Sequence, residues 1–178
     1  MLDAPVSGGD VGAIEGTLSI MAGGEREDFD RASPLFEIMG GNVVHVGEAG
    51  AGQLTKAANQ IVVAIVMEAI SEALLLAERS GVEPRKLIEA LSGGLASSKI
   101  MELKREKFLS HEFTPGGKVV YHLKDLGIAL ETAGEYGVAL PVTALVKEMF
   151  GSLVAKERGG WDHSAILTLV EELSGQEG

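Results

Sequence analysis

The chain has no cysteine. Disulfides, thiolate catalysis and Cys-ligated metals are therefore excluded. The absence agrees with a reducing cytoplasm, where the protein is expected to reside. Aromatic residues are scarce, at 4%, while the hydrophobic share is 46%. Leu, Ile, Val and Ala must then fill the core, which suits close helix packing better than a β-sandwich. Basic residues are the minority: 15 Lys and Arg face 26 Asp and Glu, for a formal net charge of −11. Such a field repels nucleic acid, so no nucleic-acid partner is expected. One basic cluster, Lys99, Lys104, Arg105 and Lys107, could attract a phosphate or be a solvated helix face. The most apolar run, Ile61 to Met67, is too short to span a bilayer. Met1-Leu2-Asp3-Ala4-Pro5 has neither the basic nor the apolar region of a signal peptide. No membrane partner is expected. A length of 178 residues fits one domain, or one domain and part of another.

The first 47 residues differ in texture from the rest. Thr17 to Met21 alternates and closes on Gly23-Gly24, which predicts a strand and a turn. Asn42 to Val46 predicts a second strand. Arg26 to Met39 has helical character, with Pro34 marking a break or a start. Beyond Ala49 the pattern becomes helical throughout. Gln53 to Arg79 lacks Gly and Pro and is apolar on nearly every side from Ile61 to Ile70, which predicts a long helix buried all round and stopped at Gly81. Further helices are expected after Pro84, over Ser97 to Leu109, over Leu123 to Tyr136, after Pro141, and over Ala165 to Leu173 with Asp162 as N-cap. No strand is expected after Val46. The Gly175-Gln176-Glu177-Gly178 end is expected to fray.

Gly47-Glu48-Ala49-Gly50-Ala51-Gly52 joins a predicted strand to a predicted helix, the place of a dinucleotide fingerprint. Its spacing is G-x-x-G-x-G, the reverse of the usual pattern. The helix also runs through the position where a second parallel strand would be needed. A self-contained dinucleotide fold is not expected. The glycines are expected instead to let the chain turn tightly and bring a helix N-terminus close to a ligand.

Lys56 stands about one turn inside that helix, with Asn59 and Gln60 three and four residues on and so on the same side. A lysine on an apolar helix with an amide neighbour can protonate and orient a substrate oxygen; it can also be a snorkelling surface lysine. Ser7-Gly8-Gly9 is either a carboxylate nest or a strand-ending turn. Lys124 and Asp125 form either a functional pair or a charge pair near a helix start. The four histidines, His45, His111, His122 and His163, show no metal-ligand spacing, so no metal site is expected.

Taken in order, these pieces resemble one family. Leu2-Asp3-Ala4-Pro5-Val6-Ser7-Gly8-Gly9, then Gly12-Ala13 and Gly16-Thr17-Leu18-Ser19-Ile20-Met21, resemble the substrate-binding segment of β-hydroxyacid dehydrogenases. Gly50-Ala51-Gly52 through Lys56-Ala57-Ala58-Asn59-Gln60 resembles their catalytic lysine segment, and Lys124-Asp125-Leu126 a third motif. Gly93-Gly94-Leu95-Ala96, Leu140-Pro141-Val142-Thr143 and Asp162-His163-Ser164-Ala165 look closest to the branch acting on tartronate semialdehyde.

The resemblance implies hydride transfer between NAD(P)H and the carbonyl carbon of a small 3-oxo acid. Lys56 would act as general acid/base, with Asn59 or Gln60 orienting it or the substrate. Ser7, Gly8 and Gly9 would hold the substrate carboxylate. Lys124, Asp125 and Gly117 would lie toward the cofactor, NAD or NADP. Relatives carry an aromatic where Gly117 stands, after Pro115-Gly116. They also carry a full Rossmann domain before the Asp-Ala-Pro-Val-Ser segment. The expected fold is therefore mainly α. An all-helical C-terminal domain, residues 48–178, begins with a long central helix and forms homo-oligomers. A short α/β remnant of the nucleotide-binding domain, residues 1–47, precedes it. By itself such a chain is expected to be inactive; the other reading is a helical dimerisation module without cofactor binding.

Overall fold

The structure is a computed structural model that describes residues 1–176; Glu177 and Gly178, where part of the frayed end was expected, lie outside the described residues. The chain is mainly α. It divides into two compact units, Met1–Gln60 and the remainder from Ile61.

The first unit holds the sheet. Strand β1 (Val6–Ser7) leads into a short helix α1 (Gly9–Glu15), then strand β2 (Leu18–Gly23), helix α2 (Arg26–Met39) and strand β3 (Gly40–Gly47). The sheet order is β1-β2-β3. β1 runs antiparallel to β2, with Val6 opposite Ile20. β2 and β3 are parallel, with Ile20 opposite Val43 and Met21 opposite Val44. A parallel pair needs a crossover, and α2 supplies it. β2 is the central strand, and Leu18, Ile20, Met21 and Ala22 are all buried. β3 forms an edge on which Val44 stays exposed. β1 matches the strand-ending turn that was one reading of Ser7-Gly8-Gly9, whereas α1 is too short to carry a readable periodicity.

α2 corrects one expectation. Its helix runs unbroken through Pro34. Proline removes the bond to the carbonyl four residues back, that of Asp30. Both Asp30 and Pro34 lie on the exposed side, where solvent can satisfy that carbonyl.

Helix α3 (Ala51–Arg79) starts in the first unit and continues into the second. By length and composition it is apolar enough to cross a membrane, which the short Ile61–Met67 run did not suggest. Ala64, Met67, Ile70 and Leu74, three or four residues apart, are buried in the core of the second unit. The expectation of burial all round is corrected: Val62 is 62% and Leu76 71% exposed, forming a stripe on the other side.

The second unit packs α4 (Pro84–Ser92), α5 (Lys99–Ser110), α6 (Val119–Glu135), α7 (Pro141–Ala155), a 3-10 turn (His163–Ala165) and α8 (Ile166–Leu173). Pro84 and Pro141 take the first turn of their helices, where the missing N–H costs nothing. Ser98 caps α5 by accepting from the Met101 N–H. α6 begins at Val119, earlier than the expected Leu123, because Val119 N–H bonds to the Trp161 carbonyl and fixes its first residue. Phe108, Phe150, Leu126, Leu153 and Ile166 are fully buried and centre this core.

Candidate active site

The first unit contains both the Ser7-Gly8-Gly9 segment and Lys56. Ser7 ends β1 half-buried. Gly8 and Gly9 then take φ of 139° and 66°, a region that side chains rarely enter. A Cβ on Gly8 would also press on Leu18 Cδ2 at 3.0 Å. Two successive residues of this kind make a tight turn, and a turn of the backbone can receive an anion.

Lys56 lies on the second turn of α3 and is half-buried, next to the buried Ala57. The Asn59 amide nitrogen donates to Gln60 Oε1 at 2.9 Å, and Gln60 is itself buried. Both amides flank the lysine by helical spacing, and each fixes the other's orientation.

The glycine turn between β3 and α3 is not what the sequence suggested. Asp3 occupies it. Gly50 N–H donates to Asp3 Oδ1 at 2.7 Å and Gln53 N–H to Oδ2 at 2.8 Å. The Gly50 N–H does most to hold the Asp3 carboxyl below the usual carboxylate range; slight burial opposes it and the Gln53 N–H adds to it. The N-terminus of α3 is thus closed by the protein's own carboxylate rather than offered to a ligand. The expectation of a ligand there is corrected, because its donors are already engaged.

The second unit holds the other named residues. Lys124 and Asp125 pair at 3.2 Å on α6, not at its start but more than a turn inside it. Lys124 is 67% exposed. Gly117 precedes α6. A Cβ there would stand 3.0 Å from His163 Cε1. The His163 ring fills the space that a side chain at position 117 would enter.

Asp162, named only as a helix cap in the sequence, is the hub of this unit. It is fully buried. Its Oδ2 accepts from Lys104 Nζ at 2.8 Å, Gly116 N–H at 2.9 Å and Gly117 N–H at 3.2 Å. Its Oδ1 accepts from Ser164 N–H and Oγ. His163 Nδ1 lies 3.0 Å from His122 Nδ1. Burial pushes the Asp162 carboxyl up, but Lys104, His163 and the Gly116 N–H pull it down further, to well below its ordinary range. Burial pushes the His163 imidazole down to about 3, with His122 and Lys104 adding to the effect. No sequence spacing signals this hub, since apart from Ser164 its donors lie 45 to 58 residues from Asp162. The basic cluster on α5 is largely engaged within the protein: Lys104 binds Asp162, Lys107 donates to the Thr114 carbonyl and Lys99 pairs with Glu102. Among the described residues no cluster of three or more metal-ligating side chains exists.

Two family models match the chain, and they meet before Lys56 rather than at the Gln60/Ile61 boundary of the structural units. The family model described as NAD-binding of NADP-dependent 3-hydroxyisobutyrate dehydrogenase matches residues 50–170. The one described as NAD binding domain of 6-phosphogluconate dehydrogenase matches residues 1–47. The chain is 48% identical to the 2-hydroxy-3-oxopropionate reductase of Escherichia coli over 170 residues, covering 96% of this chain and 58% of the relative. Its fold is similar to 3-hydroxyisobutyrate dehydrogenase from Salmonella typhimurium (TM-score 0.87, 30% identity, 95% of this chain and 60% of that one). It is similar also to the Mycobacterium tuberculosis 3-hydroxyisobutyrate dehydrogenase solved with L-serine (TM-score 0.85, 32% identity, 95% and 60%). The chain therefore spans a little over half the length of these relatives.

Proposed function

We propose, from the premise that the chain belongs to the β-hydroxyacid dehydrogenase family, that it carries the catalytic and substrate-binding residues of an NAD(P)-dependent reductase. The substrate would be a small 3-oxo acid of the tartronate semialdehyde type, interconverted with its hydroxy acid. The observation that carries this reading is the presence, in one compact unit, of the Ser7-Gly8-Gly9 turn and of Lys56 with its bonded amide neighbours. Residues 1–47 are read as part of a nucleotide-binding domain and 48–178 as the helical domain. Cytoplasmic residence goes with the same reading.

When bound, NAD(P)H supplies the hydride. The residues of this chain do the remaining work. The N–H groups of Gly8 and Gly9 and the Ser7 hydroxyl hold the substrate carboxylate. Lys56 gives its proton to the carbonyl oxygen during reduction and recovers one in the reverse direction. Asn59, held by the buried Gln60, orients the lysine or the substrate oxygen. Lys124 and Asp125 stand toward the cofactor with Gly117, whose missing side chain leaves room to the His163 ring. The α3 N-terminus takes no part in holding the cofactor, since Asp3 fills it.

The test joins this chain to the N-terminal part of the Escherichia coli reductase that it does not match. Loss of NADH or NADPH absorbance is then followed with tartronate semialdehyde. Lys56→Ala should lower kcat roughly 10²- to 10⁴-fold with the fold intact. Full activity in that variant would remove the assigned role.

The exposed stripe on α3 favours a second reading, a helical dimerisation module without cofactor binding. Calorimetric titration of NADH and NADPH against this chain separates the two. Tight binding removes the second reading. A homo-oligomer formed through the helical domain fits either.

A further inference from the structure

The segment that carries Ser7 also carries Asp3, four residues earlier. Asp3 is attached at both ends of its own residue. Its backbone exchanges two hydrogen bonds with Gly23 at the end of β2, Asp3 N–H to Gly23 O at 3.0 Å and Gly23 N–H to Asp3 O at 2.8 Å. Its carboxylate takes the N–H groups of Gly50 and Gln53 at the start of α3. Lys56 follows Gln53 by three residues on that helix.

Glycine is what permits this approach. A Cβ on Gly52 would stand 2.5 Å from the Met21 carbonyl and 2.6 Å from both Asp3 O and Oδ2. A Cβ on Gly23 would stand 2.6 Å from Asp3 Oδ1 and 2.7 Å from the Glu48 carbonyl. Gly50 takes φ of 93°, a conformation suited to glycine, and its N–H donates to the carboxylate. Backbone atoms and a bound carboxylate cannot yield as a flexible side-chain tip can. Gly23 and Gly52 are thus explained by an internal ligand, the Asp3 carboxylate, and not by a nucleotide phosphate.

We infer that Asp3 is a positioning residue, which seats the N-terminus of α3 against the end of β2 and so fixes Lys56 relative to the Ser7-Gly8-Gly9 segment. The inference rests on the proposed roles of Ser7 and Lys56. Two physical effects follow from the one side chain. The first is geometric: each carboxylate oxygen takes its own N–H group, Gly50 before the helix and Gln53 in its first turn, whereas a carboxamide would offer one acceptor oxygen in place of two. The second is electrostatic. A negative charge at a helix N-terminus offsets its positive end, and that end lies within two turns of Lys56.

The variants that separate these effects are Asp3→Asn and Asp3→Ala. Asn removes the charge and keeps one acceptor oxygen; Ala removes both. Hydrogen exchange at the Gly50 and Gln53 amides of the 178-residue chain reads the seat. NMR titration of the Lys56 side chain reads the charge. In Asp3→Ala, exchange at those two amides should rise about tenfold beyond any rise at Ile20 and Ala22 in β2. In both variants the Lys56 midpoint should fall by about half a pH unit. The alkaline limb of the rate profile of the joined enzyme should move with it. A merely structural role would not move that limb.

Equal changes at Gly50, Gln53 and the β2 amides, with an unmoved Lys56 midpoint, would overturn the inference. Should Asp3→Ala fail to fold, Asp3→Asn decides on the Lys56 midpoint alone. Full activity of Lys56→Ala would overturn the functional reading while leaving both spectroscopic readouts in force. The two failures are therefore told apart.

Discussion

A buried carboxylate is tolerable only when its lone pairs and charge are answered. Asp162 meets that condition with one ammonium and four further donors. Removing it leaves Lys104, whose side chain is 12% exposed, without its carboxylate. Asp162→Ala should cost about 3–5 kcal/mol, measured by urea unfolding at neutral pH. Lys104→Met together with Asp162→Ala should cost less than Asp162→Ala alone, because the orphaned charge is gone. The same cluster sets an acid limit. His163 faces His122, Lys104, Asp162 and Lys107, and in the fold it is held down to about 3 from an ordinary 6.5. The unfolded chain therefore binds the extra proton first as pH falls. Stability from His163 is full above about pH 6.5 and drains away toward about pH 3. Asp162, also held below its ordinary range, adds to the loss at the acid end. Unfolding free energy measured against pH should fall with a slope of up to about 1.4 kcal/mol per pH unit per proton. His163→Gln should flatten that slope between pH 6.5 and the lower limit; an unchanged slope would contradict the assignment.

At the scale of elements, α3 shows how much its sequence concealed. The stop at Gly81, the proline starts of α4 and α7 and the bounds of α2 were legible, because caps and periodicity act within a few residues. The exposed stripe was not, because an all-round apolar helix gives no sign of which face its neighbours cover. Nor was the Asp3 seat, in which residue 3 meets residues 50 and 53. The Lys56 segment was legible as a motif, and its amide pair as a spacing. The Asp162 hub was not, since only folding brings α5, the 113–118 loop and the 3-10 turn together. α3 also carries a mismatch. Burial, followed by the neighbouring Glu72 one turn on, raises the Glu68 carboxyl to about 7. A raised acid favours the fold below its ordinary value of 4.5 and loses that advantage as pH climbs through about 7. Glu68→Gln should stabilise the protein at pH 8 by on the order of 1 kcal/mol after solvent screening, and hardly at all at pH 4. Thermal unfolding at the two pH values checks this. Because His163 and Glu68 pull in opposite directions, stability should peak between them.

For the molecule as a whole, the proposed chemistry is divided between two compact units. Ser7, Lys56, Asn59 and Gln60 belong to one, and Gly117, Lys124 and Asp125 to the other. The exposed Val62 and Leu76 on α3 offer one apolar surface for self-association. Val62→Lys with Leu76→Glu should shift sedimentation toward monomer, with little change in the buried core of Met67, Leu126 and Phe150. Sedimentation that is unchanged would place any interface elsewhere.

The packing of His163 against Gly117 has a consequence for how this chain can change over generations. A methyl group at position 117 meets the imidazole at 3.0 Å, and anything larger meets it sooner. A side chain enters there only if the imidazole gives by a few tenths of an ångström. The two positions are thus bound by epistasis, and the order of substitutions matters. Gly117→Phe should cost less stability in a His163→Ala background than beside the histidine, as read by urea unfolding. An aromatic at 117 and a histidine at 163 can share this corner only with the ring shifted, so a designer restoring the aromatic must look 46 residues away for the side chain that makes room.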